Sequence, residues 1–255
     1  MSFEFTARQN KFGALLAFGF FLVYIASMYA GGSIGVLSFQ VVFIAENAMH
    51  LPISSADENV VYEVIHRISG MAFGGMVLLL LITLSVRKIP QKVSFPELGF
   101  VRSSWTSCVA AFLIGLSLSL FFMLVLRRLF PFDGERLTED LSGINEAAEV
   151  FRYMAAFCFV VLAPLNEEML FRGVLSTGFT NSFGKFASGI VVTLLFASVH
   201  PSAFADGYWV HIAALLSYSI ILYVLRIWSG SLYPCIAMHA GINSALIFPV
   251  QIFTG

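Results

Sequence analysis

Four polar side chains interrupt apolar segments in the second half of the sequence, and their types could together hydrolyse a peptide bond. They are Glu167, His200, His239 and Asn243. A glutamate can take a proton from water, and imidazole and amide groups can donate hydrogen bonds to the oxyanion that water attack creates. Ionisable groups at membrane depth are costly to bury and usually face a partner or a cavity. These four residues are therefore the candidate catalytic groups.

A second carboxylate, Glu168, lies four residues before Arg172, a spacing at which two side chains meet on one helical face. Because the two charges can neutralise each other, a structural ion pair is the favoured interpretation. Glu167 is then rotated by about 100° from Glu168 and has no cation close to it in the sequence. Pro164 is expected to open a helix at its first turn or to kink one already running, which would place both carboxylates near a helix start.

The other candidates lie on two further apolar segments. His239 and Asn243 are four residues apart, as are Phe196 and His200, so each pair shares one face of a helix. We expect the two imidazoles and the amide to converge on Glu167. The three segments would then enclose one polar site.

Three short motifs in this order resemble those of one family. Glu167-Glu168-Met-Leu-Phe-Arg172, Phe196-Ala-Ser-Val-His200 and His239-Ala-Gly-Ile-Asn243 are similar to the motifs of the CAAX-processing and bacteriocin-processing (CPBP) family of intramembrane glutamic peptidases. The resemblance implies that Glu167 activates water with the help of His200, and that His239 and Asn243 hold the oxyanion. It implies supporting roles for Glu168, Arg172 and Phe196, and a membrane-anchored or membrane-embedded polypeptide as substrate.

The composition is that of a membrane protein. Of 255 residues, 58% are hydrophobic and 11% charged, and the mean hydropathy is +0.87, so the apolar excess must face lipid. Apolar runs predict an all-α bundle of seven or eight membrane helices in one domain, residues 1–255, with a catalytic core at 151–253. The seven predicted spans are Phe12–Met28, Ile68–Val86, Trp105–Leu126, Phe151–Val174, Phe186–Val199, Trp209–Ile227 and Tyr233–Phe253.

The pair Gly31-Gly32 predicts a break, after which Gly31–Ala45 is either an eighth span or a re-entrant piece. The connection from Arg87 to Arg102 is basic and is expected on the cytoplasmic side. Arg8 and Lys11 favour the same side, and hence a single crossing before Glu46. The first apolar segment is expected not to be cleaved as a signal peptide and to remain as a membrane anchor.

The net charge argues against a nucleic-acid partner, and the positions of the cysteines argue against disulfide bonds. A net charge of -1 gives no basic field for nucleic acid. Cys108, Cys158 and Cys235 lie in apolar runs and are expected to be free thiols. Partners are expected in the lipid bilayer, and the compact chain favours a bacterial or archaeal cytoplasmic membrane.

Alternative chemistries and functions remain open. No cofactor is expected, but two histidines and a glutamate could hold a zinc ion. Cysteine catalysis by Cys235 with His239 is disfavoured, because apolar surroundings blunt a thiol. A non-catalytic immunity or regulatory scaffold could retain the same polar cluster. A proton-coupled transporter could also use it, but its polar groups would be spread over two related halves.

Overall fold

The computed structural model describes residues 12–48, 58–88, 93–126, 149–200 and 209–253, and these ranges contain seven helical segments. We number them α1 to α7 in chain order. They are α1 (Ala14–Ala48), α2 (Glu58–Lys88), α3 (Trp105–Phe121, continued by a π-helical turn Phe122–Leu126), α4 (residues 149–183), α5 (Lys185–Ser198), α6 (Trp209–Ser229) and α7 (Tyr233–Phe253). No strand occurs within these ranges.

The helices form a bundle whose outer surface is apolar. Five of them are long and apolar enough to cross a membrane, and α5 is a shorter apolar helix. Large side chains such as Leu15, Trp105 and Trp228 are more than four-fifths exposed, which in a membrane protein marks contact with lipid and its interface. The predicted all-α membrane bundle and its seven helical segments are confirmed.

The predicted break at Gly31-Gly32 is wrong, because α1 runs through it without interruption. The glycines serve close packing against α2. A Cβ on Gly31 would overlap Phe73, one on Gly32 would meet the ring of His66, and one on Gly35 would overlap Ser69. Small residues let membrane helices approach closely. At this interface the chain therefore stays α-helical through both glycines and makes no turn. Gly31–Ala45 is therefore neither an eighth span nor a re-entrant piece.

Close packing of α1 on α2 predicts a large difference between two glycine substitutions. A Cβ on Gly70 would lie 2.6 Å from the backbone oxygen of Met28, whereas one on Gly19 would meet nothing within 4 Å. We expect Gly70→Ala to destabilise the protein by about 1–3 kcal/mol. Gly19→Ala is expected to be neutral or to stabilise it by up to about 1 kcal/mol. Thermal unfolding of both variants in detergent tests this, and equal midpoints would contradict it.

Helix α4 lies at the centre of the bundle and carries both carboxylates. Buried residues of α4, including Leu170, Phe171 and Val174, form one apolar core with residues of α1, α2 and α5. The helix alternates between α-helical pieces (Glu149–Phe157, Ala163–Glu167, Ser176–Phe183) and π-helical pieces (Cys158–Leu162, Glu168–Leu175). The wider π-helical turns change the direction in which successive side chains point.

The prediction that Pro164 places the carboxylates near a helix start is wrong. Pro164 lies inside a continuous helix, directly after the π-helical piece Cys158–Leu162. The amide of Ala163 donates to the carbonyl of Cys158, five residues back. The backbone hydrogen bonds are thus already shifted by one residue just before the position at which proline lacks an N–H. The helix continues past Pro164.

The connection between α2 and α3 packs across one end of the bundle. Its described part, residues 93–102, contains the buried side chains of Val93 and Leu98. Leu232 N donates to Gly99 O, and Ser231 Oγ to Val101 O, joining this connection to the start of α7. The start of α1 and the end of α4 lie together, since Ala14 N donates to Ser182 Oγ. Arg8, Lys11 and part of the predicted basic connection lie outside the described residues.

Candidate active site

A carboxylate, a guanidinium and an imidazole meet at one oxygen atom in the centre of the bundle. Glu168 Oε1 lies 3.0 Å from Arg172 Nη1 and 2.8 Å from His239 Nδ1. The side chains of Glu168 and Arg172 are completely buried, and His239 is nearly so. Burying a charge at this depth requires compensation, which the guanidinium and the carboxylate supply to each other, and His239 adds a hydrogen bond to the same carboxylate. The predicted Glu168–Arg172 pair is present, and it also fixes the orientation of His239.

Arg172 is held by α5 and α6 as well as by Glu168. Its Nη2 donates to the carbonyl of Ser219 at 3.2 Å and to the hydroxyl of the same residue at 3.1 Å. Its guanidinium carbon lies 4.6 Å from the centre of the Phe196 ring, a cation–π distance. The ion pair therefore connects three helices around α4.

Glu167 points to the other nitrogen of the same imidazole. Its Oε2 lies 3.8 Å from His239 Nε2. This oxygen is buried and accepts no hydrogen bond within the described part of the protein. His239 thus stands between the two consecutive glutamates, with Nδ1 towards Glu168 and Nε2 towards Glu167. A carboxylate oxygen with free lone pairs beside an imidazole is suited to exchange protons with a bound water.

His200 is oriented by the aromatic residue one turn before it. Its Nδ1 lies 2.8 Å from the carbonyl oxygen of Phe196. The ring of Phe196 is 4.7 Å from the ring of His200 and 6.0 Å from that of His239, centroid to centroid. One buried phenyl ring therefore contacts both imidazoles. Phe196 lies at the junction of the two histidines and Arg172.

Asn243 is fixed by a backbone carbonyl that the π-helical piece leaves accessible. Its Nδ2 donates to Phe159 O at 2.8 Å. In a regular α-helix the amide of Ala163 would bond to Phe159 O, but here it bonds to Cys158 O instead. The π-helical turn thus provides the acceptor that orients the amide. One N–H of Asn243 is used in this way, and its second N–H is available for another acceptor.

The structure brings two of the four candidates into direct proximity, Glu167 and His239. His200 joins them through Phe196, and Asn243 lies one helical turn beyond His239, on the same helix.

Sequence reasoning missed Ser219, because a serine in an apolar span is ordinary, and it missed Arg226. Arg226 is a nearly buried cation in α6, and the rule that singled out Glu167, that a charge in an apolar segment marks a site, could have found it.

The described ranges bear on the predicted free thiols and on possible metal binding. Cys108, Cys158 and Cys235 are all free thiols, as predicted. Across those ranges no group of three or more His, Cys, Asp and Glu side chains is arranged to hold a metal ion. The side chain closest to His239 Nδ1 is a carboxylate already engaged by Arg172.

Comparison with protein families identifies the segment that holds this site. Residues 149–245 match the family described as type II CAAX prenyl endopeptidase Rce1-like. Neither the comparison with curated proteins nor that with solved structures finds a match. The matched segment begins with α4 and includes all three motifs and every side chain of the site described above. Over this segment, which is less than half of the chain, the sequence is therefore similar to a family of CAAX-type prenyl endopeptidases, in agreement with the resemblance of the three motifs.

Proposed function

We propose that this protein is an intramembrane glutamic endopeptidase that cleaves a membrane-associated polypeptide without a metal ion. The observation that carries the proposal is the position of Glu167 Oε2, buried, without a hydrogen-bond donor in the described chain, and 3.8 Å from His239 Nε2. The family match supports a CAAX-type protease in general. The roles of individual residues follow from their contacts.

Glu167 is the general base of the proposed reaction. It takes a proton from water while the water oxygen attacks the carbonyl carbon of the scissile bond. The carbonyl electrons move to oxygen and give a tetrahedral oxyanion. When this collapses, the C–N bond breaks, and the proton held by Glu167 passes to the leaving nitrogen. His200, whose Nδ1 is directed to Phe196 O, assists by binding the water through Nε2.

His239 and Asn243 stabilise the oxyanion in this mechanism. Because Nδ1 of His239 donates to Glu168, donation from Nε2 requires the doubly protonated imidazolium. Glu168 is the hydrogen-bonded counterion for that charge, as Arg172 is for Glu168. Asn243 supplies the N–H that Phe159 does not use. Fixed donors of this kind act strongly in a dry site, because they need no reorganisation as charge develops.

The substrate must present its scissile bond inside the bilayer, because the site lies at the middle of α4 among buried side chains. A polypeptide tethered by a lipid can do so, and the description of the matched family favours a prenylated C-terminal peptide. The proposed location is a bacterial or archaeal cytoplasmic membrane.

Cleavage of a defined probe tests the proposal. Protein purified in detergent is expected to cleave a farnesylated peptide ending in a CAAX sequence, at an unchanged rate when 1,10-phenanthroline is present. The same peptide without its lipid is the control for the tether. Complete loss of cleavage with the chelator, restored by added Zn²⁺, would favour a zinc mechanism and contradict the metal-free one. No cleavage of either peptide would contradict the proposed substrate class.

A further inference from the structure

Arg226 is a nearly buried cation whose hydrogen bonds go to backbone carbonyls. It lies near the end of α6 and is 9% exposed. Its Nε donates to Arg172 O at 3.2 Å, and its Nη2 donates to Glu97 O at 3.0 Å. The side chain of Glu97 is engaged elsewhere, accepting from the amide and hydroxyl of Ser94. Arg226 therefore joins two segments by their main chains.

The first of these segments is the connection of residues 93–102, which we call the strap. Its Glu97 carbonyl accepts from Arg226 and also from Thr177 Oγ1 at 3.1 Å. Gly99 has a φ of 95°, and a Cβ there would lie 2.7 Å from Arg226 Cζ. The strap thus needs a glycine where it passes the guanidinium. It is also bonded to the start of α7, the helix that carries His239.

The second segment is the π-helical piece of α4 that contains Glu168 and Arg172. At its end, the amide of Ser176 donates to Phe171 O and Gly173 O and passes over Arg172 O, its acceptor in a regular α-helix. Arg226 donates to that carbonyl. The arrangement repeats the one at the earlier π-helical piece, where Asn243 donates to the carbonyl that Ala163 passes over.

Helix α6 therefore contacts Arg172 twice, at its guanidinium and at its backbone carbonyl. Ser219 contacts the guanidinium of Arg172, and Arg226 contacts its carbonyl oxygen. Ser219 and Arg226 are seven residues apart, which places them on one face of α6. Displacement of the Arg172 backbone would move the guanidinium that holds Glu168, and Glu168 orients His239.

We propose that Arg226 is a positioning residue, which keeps α4 in its π-helical register at Arg172 and couples that register to the strap. The proposal rests on the proposed function, in which the register sets the direction of Glu167 and His239. An arginine is suited to this role because its planar fork has several donors at fixed angles, whereas a lysine has one compact ammonium group.

Kinetics of three variants test the role in catalysis. Arg226→Met is expected to lower kcat by on the order of tenfold or more, with KM changed far less, because small displacements of catalytic groups are costly. Arg226→Lys, which keeps the charge but replaces the planar fork with a single ammonium group, is expected to give a kcat between those of Arg226→Met and wild type. Thr177→Val removes the other bond to Glu97 O and is expected to keep the wild-type kcat. Wild-type kcat in both Arg226 variants, or an equal loss in Thr177→Val, would overturn the proposal.

Hydrogen–deuterium exchange provides a readout that does not depend on activity. Arg226→Met is expected to raise amide exchange in both the strap and Glu168–Leu175, whereas Thr177→Val should raise it in the strap alone. Increased exchange confined to the strap in Arg226→Met would overturn the coupling. If that variant does not fold, the same comparison is made with Arg226→Lys. Cleavage that survives Glu167→Gln would instead refute the proposed function, so the two failures can be told apart.

Discussion

Replacing Glu167 with Gln is expected to abolish cleavage of the farnesylated peptide while leaving the fold intact. Gln has nearly the same shape, but its amide cannot take a proton from water. Loss of a general base costs roughly 10²–10⁴-fold in rate, which would bring turnover close to background. The side chain is about 15% exposed and no strong hydrogen bond to Oε2 is lost, so we expect the thermal midpoint to change little.

Two controls make the Glu167 result specific. Glu167→Asp keeps the carboxylate but withdraws it by one methylene, and we expect partial activity. A non-catalytic scaffold would retain its biological phenotype in Glu167→Gln, so the phenotype is measured beside the cleavage rate. Wild-type cleavage by purified Glu167→Gln would remove the basis for the glutamic mechanism.

Replacing Arg172 with Met is expected to have the largest effect on stability. Arg172 is completely buried with Glu168, and removing one partner of such a pair leaves the other charge uncompensated. Breaking a buried pair in this way costs about 3–5 kcal/mol. The protein level in the membrane and the thermal midpoint in detergent should both fall markedly. A variant with the wild-type midpoint would show that the pair is not required for folding.

The double variant Glu168→Gln/Arg172→Met separates charge compensation from orientation of His239. Without the buried charge, much of the lost stability is expected to return, since neutral replacements of a buried pair are often tolerated. Activity should stay low, because His239 has lost its anionic partner. A double variant that regained full activity would show that Glu168 does not position the imidazole.

The lipid environment made much of the fold predictable. A helix in the bilayer satisfies its backbone internally, so runs such as Trp105–Leu126 and Trp209–Ile227 predicted helices close to those observed. The spacing of Glu168 and Arg172 predicted their contact for the same reason, because both lie on one helical face. These features depend on the local sequence and on the lipid solvent. The first is read directly, and the second follows from the apolar composition.

Features that depend on contacts between helices were not predictable. Gly31-Gly32 has the composition of a break, and only the close approach of α2 shows why it remains helical. The π-helical pieces around Pro164 and Arg172 have no local signature, because their extra hydrogen-bonding groups are satisfied by Asn243 and Arg226 from other helices. His239 between Glu167 and Glu168 likewise results from how α7 packs on α4.

The alternation of α- and π-helical turns in α4 makes chain length itself part of the site. A π-helical turn accommodates one residue more than an α-helical turn. Deleting a single residue within Glu168–Leu175 could therefore restore a regular helix there without changing the polarity of any remaining side chain. Yet the side chains inside that piece, including the Glu168 carboxylate, would point in new directions, and the Arg172 carbonyl that Arg226 binds would be taken up by the regular helix. Within this helix, the number of residues and their chemical type jointly set the direction of the carboxylate, so an alignment gap there would have a different meaning from a gap in a surface loop.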